Sequence, residues 1–454
     1  MELLKITGGI PLMGTVKAAG AKNAITKMLV ASLLSNKPVK FSNVPNITEV
    51  EVTVELCKEV GMQVDWDREK GLMHVVTEEL TSTEVHQRFS GANRIPILML
   101  GALLGRTKEP ITVPTIGGCN IGKRPVDFHT DALKKMGAHI ELISRDEGKA
   151  YVAQANFLIG SIIKLPYPSV GATENAILAG CRAQGTTLIK NAAVEPEVID
   201  LILFLQKLGV IIRVDVNRTI YIQETKEFFE AEHRVIPDRI EAASFGMAAV
   251  ATKGRVFVEG AQQAHMISFL NKLRTIGGGF SIKEEGIEFF YKGPLQGNLH
   301  LETDVHPGFL TDWQQPFVVL LTQSRGCSVI HETVYENRFG YAKTIKEMGA
   351  DVELFTQCLG GKTCRFASQN FGHSLIIKGP TPLYGKRIDI PDLRAGFAYV
   401  MAALIAPNTS EITGLRFLDR GYENLEGKLT ALGANIERIR ATKKLESLLT
   451  SNKT

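Results

Sequence analysis

The sequence lacks the features that would place it in a membrane or outside the cell. Its longest apolar runs, residues 95–105 and 396–407, are shorter than the roughly 18–20 residues that a membrane-spanning helix needs. The amino terminus has no apolar core of a signal peptide. The 6 cysteines form neither a Cys-x-x-Cys motif nor a dense cluster. We therefore expect a cytoplasmic protein with reduced thiols and no membrane insertion.

A strong charge excess is also missing. The 52 basic and 48 acidic residues leave a net charge of +4, which argues against an obligate nucleic-acid-binding protein. With 44% hydrophobic and 22% charged residues, the composition is that of a globular protein. A chain of 454 residues has room for about three domains of the usual size, or for two large ones.

Motifs for metals and nucleotides are absent or incomplete. Gly117, Gly122 and Lys123 nearly match a P-loop, but Arg124 stands where a serine or threonine would hold Mg²⁺. The segment is not Gly-x-Gly-x-x-Gly, and neither His-Glu-x-x-His nor an EF-hand loop occurs. The motifs therefore predict no metal site.

What the chain does have is an internal repeat. A helix-like stretch that ends in glycine, followed by a strand-like segment, recurs six times. The glycines are Gly61, Gly137, Gly209, Gly277, Gly349 and Gly433. Each stands where a helix needs a left-handed carboxyl-terminal cap. The pattern predicts two sibling α/β domains of three repeats each. The first 19 residues precede the first repeat, and they are able to complete the domain formed by the second half of the chain. Residues 437–454 are expected to form a peripheral helix or a frayed end.

A second landmark precedes each glycine and differs between the halves. In the first half it is Gly-Ala, at Gly20, Gly91 and Gly171; in the second it is aspartate, at Asp238, Asp312 and Asp392. Small or capping residues here predict helix starts. Asp312 has two interpretations at this stage, a simple helix cap or a general base.

The most unusual segment surrounds Cys119. Glycines predict an accessible loop, and Lys123 and Arg124 favour the thiolate and attract anions, although a buried and inert cysteine is the alternative. Further cations stand near the landmarks and predict a site for a small, multiply charged anion. They are Lys22, Arg94, Arg338, Arg394 and Arg420.

On particular motifs the chain resembles the enolpyruvyl transferase family, and within it the UDP-N-acetylglucosamine 1-carboxyvinyltransferases. The motifs are Lys22-Asn23, the Cys119 loop, residues 168–174 and 332–338, Asp392-Leu393-Arg394 and residues 419–423. The resemblance spans nearly the whole chain. It implies two inside-out α/β domains, each of three βαβαββ repeats around a pseudo-threefold axis. The domains would be residues 21–234 and residues 1–20 plus 235–454, with the active site in the cleft between them.

The resemblance also implies the reaction and its residues. The enolpyruvyl group of phosphoenolpyruvate would pass to the 3-hydroxyl of UDP-N-acetylglucosamine with release of phosphate and without a cofactor, as the first committed step of peptidoglycan precursor synthesis. The implied catalytic residues are Cys119, Asp312, Lys22 and Arg420, with Cys119 as acid and Asp312 as base. Those for phosphoenolpyruvate are Lys22, Asn23, Arg124, Arg394 and Arg420. Those for the nucleotide sugar are Arg94, Arg124, Pro125, Val126, Asp127, Phe128, Tyr167, Pro168, Ser169, Val170, Asp312 and Val334.

Departures from the family pattern are Asn120, Tyr167 and apparent added length at residues 358–371. Two alternatives remain at this stage. A 5-enolpyruvylshikimate-3-phosphate synthase shares the fold but lacks the cysteine loop, and a non-catalytic anion-binding protein would keep the pockets without turnover.

Overall fold

The computed structural model describes residues 2–117, 125–361, 364, 366–367 and 369–440. These residues fall into two compact units. The middle unit runs from Ala19 to Ile236, and the terminal unit comprises the described residues up to Ala18 and from Pro237 onward. Each unit contains three small β-sheets and several helices.

The helices of the described residues, in chain order, are α1 (Lys22–Ser32), α2 (Thr48–Lys58), α3 (Pro96–Leu103), α4 (Asp127–Lys135), α5 (Val170–Gly180), α6 (Pro196–Lys207), α7 (Arg239–Ala251), α8 (Gln263–Thr275), α9 (Thr311–Leu321), α10 (Ala342–Glu347), α11 (Leu393–Ile405), α12 (Arg416–Asp419) and α13 (Leu425–Ala431). The strands are β1 (Glu2–Thr7), β2 (Met13–Lys17), β3 (Val39–Ser42), β4 (Gln63–Asp67), β5 (Leu72–Val76), β6 (Ile111–Pro114), β7 (His139–Arg145), β8 (Gly148–Gln154), β9 (Ile162–Lys164), β10 (Thr186–Lys190), β11 (Ile212–Asp215), β12 (Thr219–Gln223), β13 (Ala231–Arg234), β14 (Arg255–Glu259), β15 (Gly279–Lys283), β16 (Gly286–Phe290), β17 (His300–Glu302), β18 (Gly326–His331), β19 (Asp351–Phe355), β20 (Ser374–Gly379), β21 (Arg387–Asp389), β22 (Thr409–Thr413) and β23 (Asn435–Arg440).

In the middle unit the repeat is clearest in its last third. There β9, α5, β10, α6, β11 and β12 follow one another, and the sheet order is β11-β12-β10-β9. Strand β9 is parallel to β10, and the other pairs are antiparallel. The first sheet, β13-β3-β5-β4, takes its parallel edge strand β13 from the end of the unit. The remaining sheet has the order β6-β8-β7.

In the terminal unit one repeat is continuous, and the other two are completed by the first strands of the chain. The continuous repeat, from β17 to β20, forms the sheet β17-β18-β20-β19. Strand β2 lies parallel to β14, and β1 lies between β22 and β23. The amino-terminal strands therefore belong with the second half of the sequence.

The helices that begin the repeats are buried inside each unit. Every residue of α7 is buried, and α7, α9 and α11 pack on one another in the terminal unit. In the middle unit α3 packs on α5 and on α1. The two apolar runs noted in the sequence supply much of α3 and α11. A helix that is apolar on all sides is stable only when other elements surround it, which accounts for the helix-inside, sheet-outside arrangement.

The predicted helix ends are confirmed at all six glycines. Gly61, Gly137, Gly209, Gly277, Gly349 and Gly433 all have a positive φ, between 87° and 112°. Each is followed within a few residues by a strand, namely β4, β7, β11, β15, β19 and β23. Without a Cβ, glycine enters this region at little cost, so the sequence marks the turn from helix to strand.

The prediction of a peripheral helix or a frayed end at residues 437–454 was wrong for its first four residues. Residues 437–440 are part of β23, whose register pairs Ile436 with Ile6 and Arg440 with Glu2, and residues 441–454 lie outside the described part. Among the described residues no helix has both the length and the apolar character that crossing a membrane requires.

Candidate active site

Two residues that the sequence analysis placed at the centre of the chemistry, Cys119 and Arg124, lie outside the described residues, as does Asn120. The structure describes the segments on both sides of this loop. The remaining predicted site residues are all described, some in each unit.

The segment before the loop is held against the segment that carries Arg94. The backbone N–H of Gly117 donates to the carbonyl of Asn93, and that of Gly91 donates to the carbonyl of Thr115. A Cβ on Gly117 would lie 2.3 Å from the Gly91 oxygen, so the two backbones approach too closely for any larger residue. Arg94 is half-buried two residues before α3, and the entry to the cysteine loop is thereby placed beside it.

The segment after the loop meets the predicted 167–170 segment at the starts of two helices. Residues 125–128 lead into α4, and residues 167–170 lead into α5, which packs against α4. The side-chain amide nitrogen of Asn175 lies 3.3 Å from Nδ1 of His129 and donates to the carbonyl of Ile97. The ideal Cβ position of Gly171 is 3.0 Å from Cε1 of His129. The structure thus brings together two groups of predicted nucleotide-sugar residues at the starts of two helices, where the helix dipole favours anions.

Lys22 and Asn23 are the first two residues of α1, and both are half-buried. The helix has no side-chain cap, because Ala21 precedes it. A lysine at a helix start lies against the local dipole and contributes nothing favourable there, so its position suits binding of an anion rather than helix stability.

The interpretation of Asp312 as a simple helix cap was wrong. Helix α9 begins at Thr311, its capping position is Leu310, and no side chain caps it. The equivalent Asp238 and Asp392 do cap α7 and α11, each through hydrogen bonds to two backbone N–H groups. Asp312 instead accepts a hydrogen bond from Nη2 of Arg338, and its Oδ1 is 3.5 Å from Nε of Arg394.

Both arginines beside Asp312 are buried and charged. Burial by itself lowers the pKa of Arg338, but Asp312, Asp392 and Glu332 raise it overall. Burial likewise lowers the pKa of Arg394, and Asp312 is the largest of the influences that raise it above its ordinary value. Two fixed positive charges favour the ionised form of a carboxylate, which is the form that accepts a proton.

The predicted Val334 is connected through the Glu332 carboxylate to Thr311, the residue before Asp312. Glu332 accepts hydrogen bonds from the hydroxyl of Thr311 at 2.9 Å and from the N–H of Val334 at 2.8 Å. Burial raises the pKa of Glu332, against the opposing influence of Arg338. Glu332 therefore joins the start of α9, where Asp312 lies, to the turn after β18, where Val334 lies.

Arg420 is half-buried and directly follows α12. Its neighbour Gly421 packs against the side chain of Leu393, the residue before Arg394. Tyr422 then bonds to Ser244 at 2.9 Å, and burial raises the pKa of Tyr422 to about 12. In the terminal unit the structure therefore groups Asp312, Val334 and Arg394, with Arg420 on the segment that packs at the start of α11.

Arg338 was missing from the predicted site residues. It ends the 332–338 motif, and the sequence analysis noted it only as a cation near a landmark. Its contact with Asp312 spans 26 positions and joins the segment after β18 to the start of α9, so spacing alone does not reveal it.

The family that matches this chain and two of its similar proteins are all named as carboxyvinyltransferases. Residues 6–429 match the family described as EPSP synthase (3-phosphoshikimate 1-carboxyvinyltransferase). The chain is 68% identical over 449 residues to the UDP-N-acetylglucosamine 1-carboxyvinyltransferase of Protochlamydia amoebophila, covering 99% of this chain and 97% of the relative. It is 57% identical over 437 residues to the protein of the same name in Chlamydia muridarum, covering 96% and 98%.

Solved structures share the fold. The enolpyruvyl transferase NikO from Streptomyces tendae matches with a TM-score of 0.85 at 22% identity, covering 97% of this chain and 99% of that one. The EPSP synthase from Acinetobacter baumannii matches with a TM-score of 0.74 at 16% identity, covering 97% and 100%.

Proposed function

The chain belongs to the EPSP synthase family of carboxyvinyltransferases, among relatives that are UDP-N-acetylglucosamine 1-carboxyvinyltransferases, and we propose that it catalyses their reaction. The family and the enolpyruvyl transferase fold predicted from the sequence are thereby confirmed. In the proposed reaction the enolpyruvyl group of phosphoenolpyruvate passes to the 3-hydroxyl of UDP-N-acetylglucosamine, and phosphate is released.

The chemistry requires an acid and a base. We propose that the Cys119 thiol protonates the methylene carbon of phosphoenolpyruvate, which makes the adjacent carbon electron-poor. The sugar hydroxyl attacks that carbon while Asp312 accepts its proton, and a tetrahedral intermediate forms. The Cys119 thiolate then takes a proton back from the new methyl group as the bond from carbon to the phosphate oxygen breaks, which restores the double bond and the thiol, and the proton on Asp312 leaves with the phosphate. General acid–base catalysis of this kind contributes typically about 10²–10⁴-fold.

The observation that carries this proposal is the pairing of Asp312 with Arg338 and Arg394. Two guanidinium groups favour the ionised form of a carboxylate, which is the form that accepts a proton, and Asp312 follows Thr311, whose hydroxyl shares the Glu332 carboxylate with the N–H of Val334. The buried guanidinium groups also fix the position of the Asp312 carboxylate, and a base must lie within hydrogen-bond reach of the hydroxyl that it deprotonates.

Binding of two anionic substrates calls for cations and helix starts. We propose that Lys22, Asn23, Arg124, Arg394 and Arg420 hold phosphoenolpyruvate. We propose that the helix starts at residues 125–128 and 167–170, with Arg94, hold the nucleotide sugar. In this proposal the reaction takes place in the cytoplasm and without a cofactor, nucleic acid or membrane.

The test is a phosphate-release assay with purified protein and chelator in place of Mg²⁺. We expect release only when phosphoenolpyruvate and UDP-N-acetylglucosamine are both present. Equal turnover with shikimate-3-phosphate would assign the protein to the EPSP synthase reaction instead. Binding of the nucleotide sugar without phosphate release would make it a non-catalytic binding protein.

A further inference from the structure

Four residues with metal-binding side chains come together in the terminal unit, outside the candidate active site. They are His331, Cys358, Cys364 and His373. Their ligand atoms all lie within 4.8 Å of one another. Three of the residues are buried and Cys358 is half-buried. No metal motif in the sequence predicted this group.

The β-sheet explains why residues so far apart in sequence meet. His331 ends β18, and its partner in the antiparallel register is Ser374, the first residue of β20. His373 directly precedes β20 and is bonded through its backbone to Phe355 and Glu332. The connection from residue 356 to residue 373 returns from β19 to β20 and carries both cysteines.

The hydrogen bonds around His331 place its ring proton on Nδ1 and leave Nε2 for the group of four ligand residues. The Ser374 hydroxyl donates to the carbonyl of Gln357 at 2.7 Å, and it accepts from the N–H of Leu359. A serine has one proton to donate, so Nδ1 of His331, 2.9 Å away, must be the donor in that contact. Nε2 of His331 is then unprotonated and carries a lone pair. It is fully buried, and it has no hydrogen-bond partner in the described structure.

His373 has the same arrangement. Its Nδ1 lies 2.7 Å from the carbonyl of Phe371, which only accepts, so Nδ1 carries the proton. Its unprotonated Nε2 is 3.2 Å from Sγ of Cys358. Histidines that bind metals typically donate the other ring N–H to a carbonyl or a comparable acceptor, which orients the ring.

Neither cysteine forms a disulfide within the described residues, and both belong to the same connection. The N–H of Phe366 donates to Sγ of Cys364 at 3.3 Å. The connection itself is fixed to β17, because His300 donates to the carbonyl of Leu359 at 2.6 Å and Gly361 donates to Glu302 at 2.8 Å. Gly360 lies so close to the His331 ring that a Cβ would be 2.3 Å from Cδ2.

We propose that His331, Cys358, Cys364 and His373 bind one Zn²⁺ ion as a structural tetrahedral site. Two thiolates and two imidazoles are a ligand set that zinc prefers. Zinc bond lengths of about 2.0–2.3 Å place ligand atoms about 3.3–3.8 Å apart, so the most distant pair has to move by about 1 Å. Each thiol loses its proton on binding, and the two thiolates balance the charge of the buried ion. The ion fixes the long connection between β19 and β20.

The first experiment is elemental analysis of the full-length, untagged protein after dialysis in metal-free buffer. We expect about one zinc per chain. Cys364→Ser and His373→Ala each remove one ligand, so the zinc content should fall at least tenfold. The matched control is Cys327→Ser, an exposed thiol on β18 that lies outside the group and should leave the zinc content unchanged.

Unmodified protein gives a second measurement in case the variants misfold. Titration with a mercurial reagent should release the zinc, detected with a chromogenic chelator, as Cys358 and Cys364 are blocked. Protein reconstituted with Co²⁺ should show thiolate-to-metal charge-transfer bands and the intense visible bands of a tetrahedral site. Metal-free protein with both thiols titratable, or a Cys358–Cys364 disulfide in unreduced peptide maps, would overturn the proposal. The proposal is independent of the reaction proposed above.

Discussion

The guanidinium of Arg338 donates a hydrogen bond to Oδ1 of Asp312, and the Arg338 side chain is 1% exposed. The contact distinguishes Asp312 from Asp238 and Asp392, which occupy equivalent places in the repeats and cap their helices. The Asp312 carboxylate therefore faces two arginines, whereas the other two aspartates accept hydrogen bonds from backbone N–H groups.

Asp312→Asn should lower kcat by about 10²–10⁴-fold with little change in KM, because it removes the base and keeps the shape of the side chain. The measurement is steady-state phosphate release, with the melting temperature as a check of folding. Asp351→Asn, at an exposed position on β19, serves as the control. An unchanged kcat would leave Asp312 only its ion pairs with the arginines.

Arg338→Met should lower the free energy of unfolding by about 3 kcal/mol, because it removes a buried guanidinium group that balances the carboxylates of Asp312 and Glu332. The control is Arg255→Met, which breaks the exposed 2.8 Å pair with Glu288. That change should cost less than about 1 kcal/mol. Urea denaturation of both variants measures how much free energy of unfolding each one loses. Equal losses would contradict the prediction.

Glu174 predicts a pH dependence of stability. Both of its carboxylate oxygens are buried without a hydrogen-bond partner in the described structure. Burial raises the pKa of Glu174 from 4.5 to about 7, with Lys27 opposing and Glu195 and Glu197 adding to the rise. The folded state therefore binds more protons than the unfolded state between these values, and stability falls as pH rises through the window.

Glu174→Gln keeps the side chain neutral, so its free energy of unfolding relative to the parent should rise by about 2.5 kcal/mol between pH 5 and pH 8. Urea unfolding at both pH values measures this difference. The exposed Glu79→Gln is the control and should show no such change. A pH-independent difference for Glu174→Gln would mean that the carboxyl is not protonated in the folded protein.

Cys119 should be the thiol that reacts with fosfomycin, an epoxide that resembles phosphoenolpyruvate in size and charge. Burial raises the pKa of both Cys57 and Cys181 to about 12, which keeps these thiols protonated and unreactive. Nucleotide sugar should speed the labelling if it helps gather the cations around the inhibitor.

Peptide mass mapping after treatment locates the label. Cys119→Ser should abolish it, and Cys119→Asp should escape labelling while keeping activity, because a carboxylic acid also delivers a proton. A label on the exposed Cys327, or labelling that ignores the nucleotide sugar, would exclude Cys119 as the catalytic acid.

Helix ends and repeats were predictable from the sequence because they depend on local chemistry. Glycine at a left-handed position marks the end of a helix wherever the helix packs, and all six predicted caps are present. The pairing of β1 with β22 and β23 was not predictable in its register, because it joins the two ends of the described chain.

The sequence by itself determined the order of the repeats, the residue types available for chemistry and the family. Tertiary structure decided which of these groups act on one another. A carboxylate and an arginine separated by 26 positions form an ion pair only when the tertiary fold brings the segment after β18 to the start of α9. His331 and His373 become neighbours only through the antiparallel pairing of β18 with β20. Burial and distance set the strength of charge–charge and metal–ligand interactions, and neither is encoded in spacing along the chain.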